Sequence, residues 1–261
     1  MKNPFNSFNT KNEMKNKKEI KPYPYQYYAD QSERHDIYQF SKELSQYLHK
    51  EKIPNIVMMD RSARLAWVGV DEYWKEKYKD EKKPNIYFVD PKRFDYVNKV
   101  YEENNFSALD AYRDRLNYQN NGKLTLEKEF NEAEEKLKQE FKEIFKNLEK
   151  DKDKPIALFD TCIHSGTTLI PVVSFFNKNG FEDIKVIVAD DDRDQSTLLI
   201  NKSLNKNTMR ISCHPFGYQY NPSGVVRKDN ITSSYDPKSA DRDVMITSRH
   251  EIRQIIKDKG I

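Results

Sequence analysis

Cysteine, glycine and long apolar runs are all scarce in this sequence. Its 261 residues include two cysteines, Cys162 and Cys213, which cannot build a disulfide framework, so we expect a cytoplasmic chain. No apolar run reaches the roughly 20 residues that a membrane-spanning helix needs. The polar N-terminus also lacks the apolar segment of a secretory signal. We therefore expect no membrane partner.

Neither sign of charge predominates, because 45 basic residues nearly balance 42 acidic ones and leave a formal net charge of +3. A net charge this small produces no strong positive electrostatic potential that would attract nucleic acid, so we do not expect nucleic acid as a partner. Aromatic residues make up 12% of the sequence, which argues against general disorder. The exception is 1–22, where lysine and asparagine dominate, and there we predict a disordered polar tail.

Short apolar runs alternate with segments of helical periodicity through the rest of the chain. Strands are predicted at 54–60, 84–90, 155–160, 184–189 and 209–213. Helices are predicted at 32–50, 65–74, 126–148, 167–179 (closed by Gly180), 195–202 and 241–259. This alternation predicts an α/β fold with an open, mostly parallel sheet and helices on both faces. We expect one domain over 23–261, with a partly helical insertion at 91–150.

Three of the predicted strands end in an acid, at Asp60, Asp90 and Asp160. Ligands of open parallel sheets bind at the carboxyl ends of the strands. After Asp160 the chain turns through 164–168 (HSGTT) into a helix, and such a turn offers backbone N–H groups, hydroxyls and the positive end of a helix dipole. An acid followed by a phosphate-binding turn suits a phosphorylated sugar.

An ordinary helix N-cap after a strand is the alternative interpretation of the same turn, because turns of this composition are common. The chain contains neither G-x-x-x-x-G-K-[ST] nor G-x-G-x-x-G. A Walker loop and a dinucleotide fingerprint are therefore both excluded.

Segment 159–168 (FDTCIHSGTT) resembles the phosphoribosyl-pyrophosphate (PRPP) loop of type I phosphoribosyltransferases. That family's pattern is an apolar strand, two acids, two apolar residues and a short Thr/Ser/Gly loop. Segment 56–67 resembles the family's first strand and its pyrophosphate loop. The order of elements over about 33–215 also fits that fold.

The resemblance implies a parallel sheet with flanking helices and a small hood, here drawn from 91–125 and 213–235, that would hold a base. It implies that the ribose lies near Asp160 and Thr161, and that Mg²⁺ is held mainly through the oxygens of PRPP. The 5′-phosphate would lie on Ser165, Gly166, Thr167 and Thr168, and the pyrophosphate near Arg61, Ser62, Ala63 and Arg64. It also implies that two copies of the chain could pair as a homodimer.

Two positions depart from the family pattern. Thr161 stands where the family has its second acid, and a threonine cannot stabilise positive charge that develops on the ribose. His164 stands where some members carry an acid that handles a base proton, and histidine can take that role or serve as a hydrogen-bonded loop residue. Arg61 and Arg64 suit a leaving pyrophosphate, or they form the solvated ends of a strand–helix turn.

The other residues with nucleophilic or metal-binding side chains do not form a complete catalytic or metal-binding motif. Cys162 and His164 could suggest a thiol nucleophile, but Cys162 has apolar neighbours and is expected in the core. Cys213 and His214 lack the paired spacing of a zinc site. The acidic run 190–194 could bind a metal ion or form a solvated loop, so the sequence assigns no certain metal ligand.

Two functions follow from the resemblance, and a nucleic-acid or assembly protein that uses the lysine-rich tail is a third class of function. The first is a phosphoribosyltransferase that binds PRPP and transfers phosphoribose to a nitrogenous base with release of pyrophosphate. The second is a catalytically weak PRPP- or nucleotide-binding regulatory protein of the same fold. In the first, Asp160 and His164 are the catalytic candidates; in both, the ligand is a small molecule.

Overall fold

A computed structural model describes residues 24–59, 63–94, 127–163, 169–191, 208–210, 225–226, 234–235 and 242–260. The predicted tail (1–22), the predicted helix 195–202 and most of the predicted hood lie outside these residues. The described part of the predicted insertion contains two helices, a 3₁₀ turn at Pro91–Phe94 and the start of another at Glu149–Asp151.

The strands in the described part are β1 (Asn55–Met59), β2 (Asn85–Val89), β3 (Ile156–Ile163), β4 (Ile184–Asp191), β5 (Thr208–Arg210), β6 (Val225–Val226) and β7 (Ser234–Tyr235). The α-helices there are α1 (Gln31–Lys50), α2 (Ala63–Lys77), α3 (Glu127–Glu140), α4 (Lys142–Leu148), α5 (Leu169–Lys178) and α6 (Arg242–Lys257). A 3₁₀ turn at Pro91–Phe94 follows β2. The β6–β7 pair is antiparallel and lies within the predicted hood segment 213–235.

Five strands form one sheet in the order β2-β1-β3-β4-β5, and each neighbouring pair is parallel. The predicted α/β fold with a parallel sheet is therefore confirmed. From β1 the chain goes to β2 on one side of that strand, and it then returns to the other side, where β3, β4 and β5 follow in order. The order of the strands thus reverses between β1 and β3, which is the point where ligands bind in sheets of this type.

Alternation along each strand divides the buried side chains into two cores, one on each face of the sheet. The first core packs under α1, α2 and α6, and its strand residues are Ile56, Met58, Ala157, Phe159, Ile187 and Ala189. The second core packs under α3, α4, α5 and the 3₁₀ turn, and its strand residues are Val57, Met59, Val89, Ile156, Leu158, Ile184, Val186 and Val188. Helices therefore cover both faces, as predicted.

The segment just before α1 is bound to the C-terminal helix α6 by one buried carboxylate. The side chain of Glu251, which is 1% exposed, accepts hydrogen bonds from the backbone N–H groups of Gln26 (2.7 Å), Tyr27 (2.9 Å) and Tyr28 (3.1 Å). The Tyr25 hydroxyl donates to Asp258 at 2.8 Å. Segment 24–30 is thus an anchored strap that joins two parts of the chain far apart in sequence.

Helix ends follow the capping signals of the sequence. The Asp30 side chain accepts from Ser32 N at 2.6 Å at the start of α1. Gly180, predicted to close the helix over 167–179, has φ +84° after α5. Its N–H donates to Asn177 O and that of Phe181 donates to Phe176 O, which is the Schellman arrangement.

Strand β3 and the helix predicted over 126–148 differ from the predicted boundaries. Strand β3 runs to Ile163 rather than ending at Asp160, because its pairing with β4 continues as far as Asp191. The predicted single helix over 126–148 is broken at Phe141, whose ψ is 0°. That residue is fully buried, and its ring packs among the aromatic rings of the second core.

Helices α1 and α2 approach closely at Gly69. A Cβ there would lie 2.1 Å from Ser41 Oγ and 3.2 Å from Ser41 Cβ, and Ser41 is fully buried. Alanine favours a helix by about 1 kcal/mol over glycine, but this contact is too short to be absorbed by a small movement. We expect Gly69→Ala to lower the free energy of unfolding by about 1–2 kcal/mol in chemical denaturation.

The double variant Ser41→Ala/Gly69→Ala is the matched control, because it removes the oxygen that the new methyl group meets. It also removes the hydrogen bond from Ser41 Oγ to Ile37 O, a local contact within α1. We expect the double variant to be more stable than Gly69→Ala alone. Equal stability of Gly69→Ala and the parent chain would contradict the close packing of the two helices.

Candidate functional site

Asp160 lies in β3 at the level where β1 ends. Phe159 is the last residue of β3 that pairs with β1, and β1 itself ends at Met59. From there to Ile163, β3 pairs with β4 alone. Asp160 is half-buried, and alternation along the strand places it on the face of Leu158, which is the face that α5 covers. The acid is therefore at the carboxyl edge of the sheet, beside the point where the strand order reverses.

The first turn of α2 contains two of the four residues predicted to contact pyrophosphate. Ala63 is fully buried in the first core. The guanidinium carbon of Arg64 lies 4.2 Å from the centroid of the Phe88 ring, a cation–π contact. Phe88 belongs to β2 and packs against the first core. Arg64 and Asp160 are thus both near the carboxyl edge but on opposite faces of the sheet.

Two further strands bring acidic residues to the same edge. Asp90 directly follows β2 and is only 7% exposed. Asp190 and Asp191 are the last residues of β4 and pair with Cys162 and Ile163. The sequence predicted β4 to end before these acids. No local signal shows that a strand continues into acidic residues, because the neighbouring β3 ladder is what extends it.

The remaining predicted site residues lie outside the described residues: Asp60, Arg61, Ser62, His164, Ser165, Gly166, Thr167 and Thr168. Thr161 is part of β3. Residues 60–62 connect β1 to α2 on the first-core face, and 164–168 connect β3 to α5 on the second-core face. The roles predicted for these residues stay predictions.

The arrangement has the features of a ligand site in an open α/β sheet. Helices α2 and α5, which follow β1 and β3, cover opposite faces of the sheet, and in open parallel sheets a ligand is expected at the carboxyl edge between two such strands. Helices α2 and α5 both begin at this edge, and their N-termini carry partial positive charge. The strands supply carboxylates, and the helix ends supply N–H donors. Such a combination can bind a sugar hydroxyl and a phosphate side by side.

The described residues contain neither a metal-binding cluster nor a membrane-spanning helix. Within the described ranges, no three His, Cys, Asp or Glu side chains are grouped as a protein metal site would require. None of the helices described has both the length and the apolar character that crossing a bilayer demands.

Comparison with known proteins adds no relative. No protein-family model matches the sequence, and no curated protein gives a significant match. The fold and the residues at its carboxyl edge therefore carry the functional argument.

Proposed function

We propose that this chain binds PRPP at the carboxyl edge of its sheet and transfers phosphoribose to a nitrogenous base with release of pyrophosphate. The observation that carries the proposal is the position of the strand-order reversal between β1 and β3. The segments that resemble the pyrophosphate and PRPP loops, 56–67 and 159–168, begin within these two strands and continue past their carboxyl ends. In open parallel sheets, a ligand is expected in the crevice between two such segments.

Each residue set has a role in the proposed reaction. The N–H groups and hydroxyls of 165–168 hold the 5′-phosphate at the start of α5. The carboxylate of Asp160, on the face that α5 covers, accepts a hydrogen bond from a ribose hydroxyl. Arg61, from the opposite connection, offers a permanent cation to the pyrophosphate.

The proposed transfer breaks one bond and forms another at the anomeric carbon. The carbon–oxygen bond to pyrophosphate breaks and pyrophosphate leaves with the electron pair, while a base nitrogen forms the new bond to carbon. His164 accepts the proton that this nitrogen loses. The negative charge of Asp160 stabilises the positive charge that develops on the ribose.

Magnesium fits the donor chemistry of this edge, since Asp160, Asp190 and Asp191 are at or near the ends of neighbouring strands and Mg²⁺ prefers oxygen ligands. When bound, the ion would supply neutralisation of the pyrophosphate charge and would be held mainly through PRPP oxygens. Asp160 is the protein ligand that we propose for the ribose side of that ion.

Calorimetric titration of the chain with PRPP and Mg²⁺ tests binding. We expect saturable binding in the parent chain. Asp160→Asn removes the negative charge at nearly constant size, so we expect affinity about tenfold weaker or worse, because a hydrogen bond to a charged group is lost. Asp183→Asn makes the same chemical change at an exposed position just before β4, and we expect it to bind like the parent.

Measuring pyrophosphate release from PRPP in the presence of a panel of bases then distinguishes phosphoribose transfer from PRPP binding alone. A catalytically weak regulatory protein is the second candidate, and Thr161 in place of a second acid favours it. Binding without release would support that candidate. No PRPP binding by the parent chain, or equal binding by Asp160→Asn, would contradict the proposed site.

A further inference from the structure

The connections into β1 and β2 repeat one sequence pattern at the opposite, amino-terminal edge of the sheet. Segment 51–56 reads EKIPNI and segment 81–86 reads EKKPNI. Asn55 pairs with Asn85 in the parallel register of the two strands. Lys52 and Lys82 therefore occupy equivalent positions before neighbouring strands. The connection into β3 also places a lysine, Lys154, before a proline.

These lysines surround a cavity of about 280 Å³ that lies under the C-terminal end of α1. Its polar and aromatic lining contains four lysines, two carboxylates, one histidine and one tryptophan: Lys52, Lys82, Lys83, Lys154, Glu81, Asp151, His49 and Trp74. A volume of this size is near the lower limit of ligand pockets and admits a small molecule rather than a large one.

Most charges around the cavity are already paired. Lys154 Nζ lies 2.7 Å from Asp151 Oδ1, His49 Nε2 lies 2.8 Å from Glu81 Oε2, and Lys83 pairs with Asp71. The hydrogen bond from Lys154 holds the pKa of Asp151 below its usual range, so that carboxylate stays ionised against its lysine.

Lys52 and Lys82 have no such partner. Among the described residues, no carboxylate oxygen lies within 4.0 Å of either ammonium group. Helix α1 ends beside Lys52, and a helix C-terminus favours a nearby cation, but no helix end accounts for Lys82. Lys82 is close enough to Asp151 to help lower the pKa of that carboxyl, after the larger effect of Lys154. The cavity thus has two exposed lysines that form no ion pair within 4.0 Å among the described residues.

The backbone at Lys52 adds an independent observation. Its φ is +52°, in the left-handed region, where glycine is favoured. Its N–H donates to His49 O, and the next N–H, of Ile53, donates to Leu48 O, which completes a Schellman arrangement. A lysine therefore stands at a helix end where the backbone favours glycine, and its side chain lines the cavity.

We propose that this amino-edge cavity binds a small phosphate-bearing anion between Lys52 and Lys82. Lysine ammonium groups bind phosphate as compact point charges, and two of them match a doubly charged anion. The cavity lies at the opposite edge of the sheet from the site proposed for PRPP. It is a second site, independent of the first.

The test uses Trp74, which lines the cavity, as a local reporter. The chain has two tryptophans, so Trp67→Phe leaves Trp74 as the only one. We expect pyrophosphate, titrated at constant ionic strength, to change the Trp74 emission in a saturable way. In this background, Lys52→Gly is expected to weaken the affinity about tenfold, since a charge-assisted contact is lost. If Trp67→Phe fails to fold, the pyrophosphate affinities of the same chains with Trp67 retained are compared by calorimetry.

Lys259→Gly is the matched control. Lys259 is also a left-handed lysine in a Schellman arrangement, after α6, with φ +57°. The adjacent Gly260 packs against His35, about 20 Å along α1 from His49. Both variants remove one charge and relax one left-handed residue, so we expect melting temperatures equal to or above the parent's.

Three results would overturn the proposal. The first is an equal pyrophosphate affinity for Lys52→Gly and Lys259→Gly. The second is the absence of any saturable Trp74 response together with no saturable heat in calorimetry. The third is an equal response to sodium chloride at matched ionic strength, which would show screening and not binding.

Discussion

Glu251→Ala is expected to lower the free energy of unfolding by about 2–4 kcal/mol, because it removes the acceptor of one buried and two partly buried N–H groups. Three backbone amides of the strap donate to this one carboxylate, which is 1% exposed. Alanine cannot accept these bonds, and the N–H of the buried Tyr28 loses its partner away from solvent. Chemical denaturation of the two chains measures the loss.

Hydrogen exchange locates the same effect. We expect the amides of Gln26, Tyr27 and Tyr28 to exchange much faster in Glu251→Ala, whereas amides in the central strands lose only the protection that follows from lower global stability. Glu76→Ala, at an exposed position of α2, is the control and is expected to change stability by less than about 0.5 kcal/mol. Unchanged exchange at these amides in Glu251→Ala would contradict the anchoring role of the carboxylate.

Phe141→Ala is expected to cost about 3–5 kcal/mol, the range for removing a large aromatic side chain from a tightly packed core. The Phe141 ring is fully buried, with centroids 5.0 Å from Phe94, 5.6 Å from Phe175 and 6.0 Å from Phe145. These neighbours belong to three different elements, so a cavity at Phe141 cannot be closed by moving one of them.

Phe141→Leu tests whether the loss of stability comes from the reduced volume of the side chain. Leucine keeps part of the apolar contact, and we expect a smaller cost of about 1–2 kcal/mol in the same denaturation assay. Equal costs for the leucine and alanine variants would instead indicate that the edge-to-face geometry of the rings matters more than filling the space. A cost below about 1 kcal/mol for Phe141→Ala would contradict its burial in the second core.

Strands β1 and β2 could be predicted from the sequence because their signals are local. Strands β1 and β2 are apolar runs bounded by Pro54 and Pro84, and each lies within the predicted range. Helices α1 and α6 were equally visible from apolar spacing. Buried parallel strands read as continuous apolar runs, so these elements needed no knowledge of their neighbours.

Features that depend on distant partners could not be predicted. The strap contact between Glu251 and Tyr28 joins residues 223 positions apart. The continuation of β3 past Asp160 depends on β4, and the placement of Arg64 over Phe88 depends on which face α2 covers. The candidate site was predictable as a set of acids at strand ends, whereas the positions of Arg64 and Asp160 on opposite faces follow from the face that α2 covers and from alternation along β3.

The anchoring of the strap on α6 has a consequence for synthesis on the ribosome. Helix α6 supplies Ile252 and Ile255 to the first core and is made after all five strands of the main sheet. Until it emerges, the apolar groove between α1 and α2 faces water and the strap has no acceptor for its amides. The contacts of α6 with the first core and with the strap can therefore form only after the five strands of the main sheet have been made.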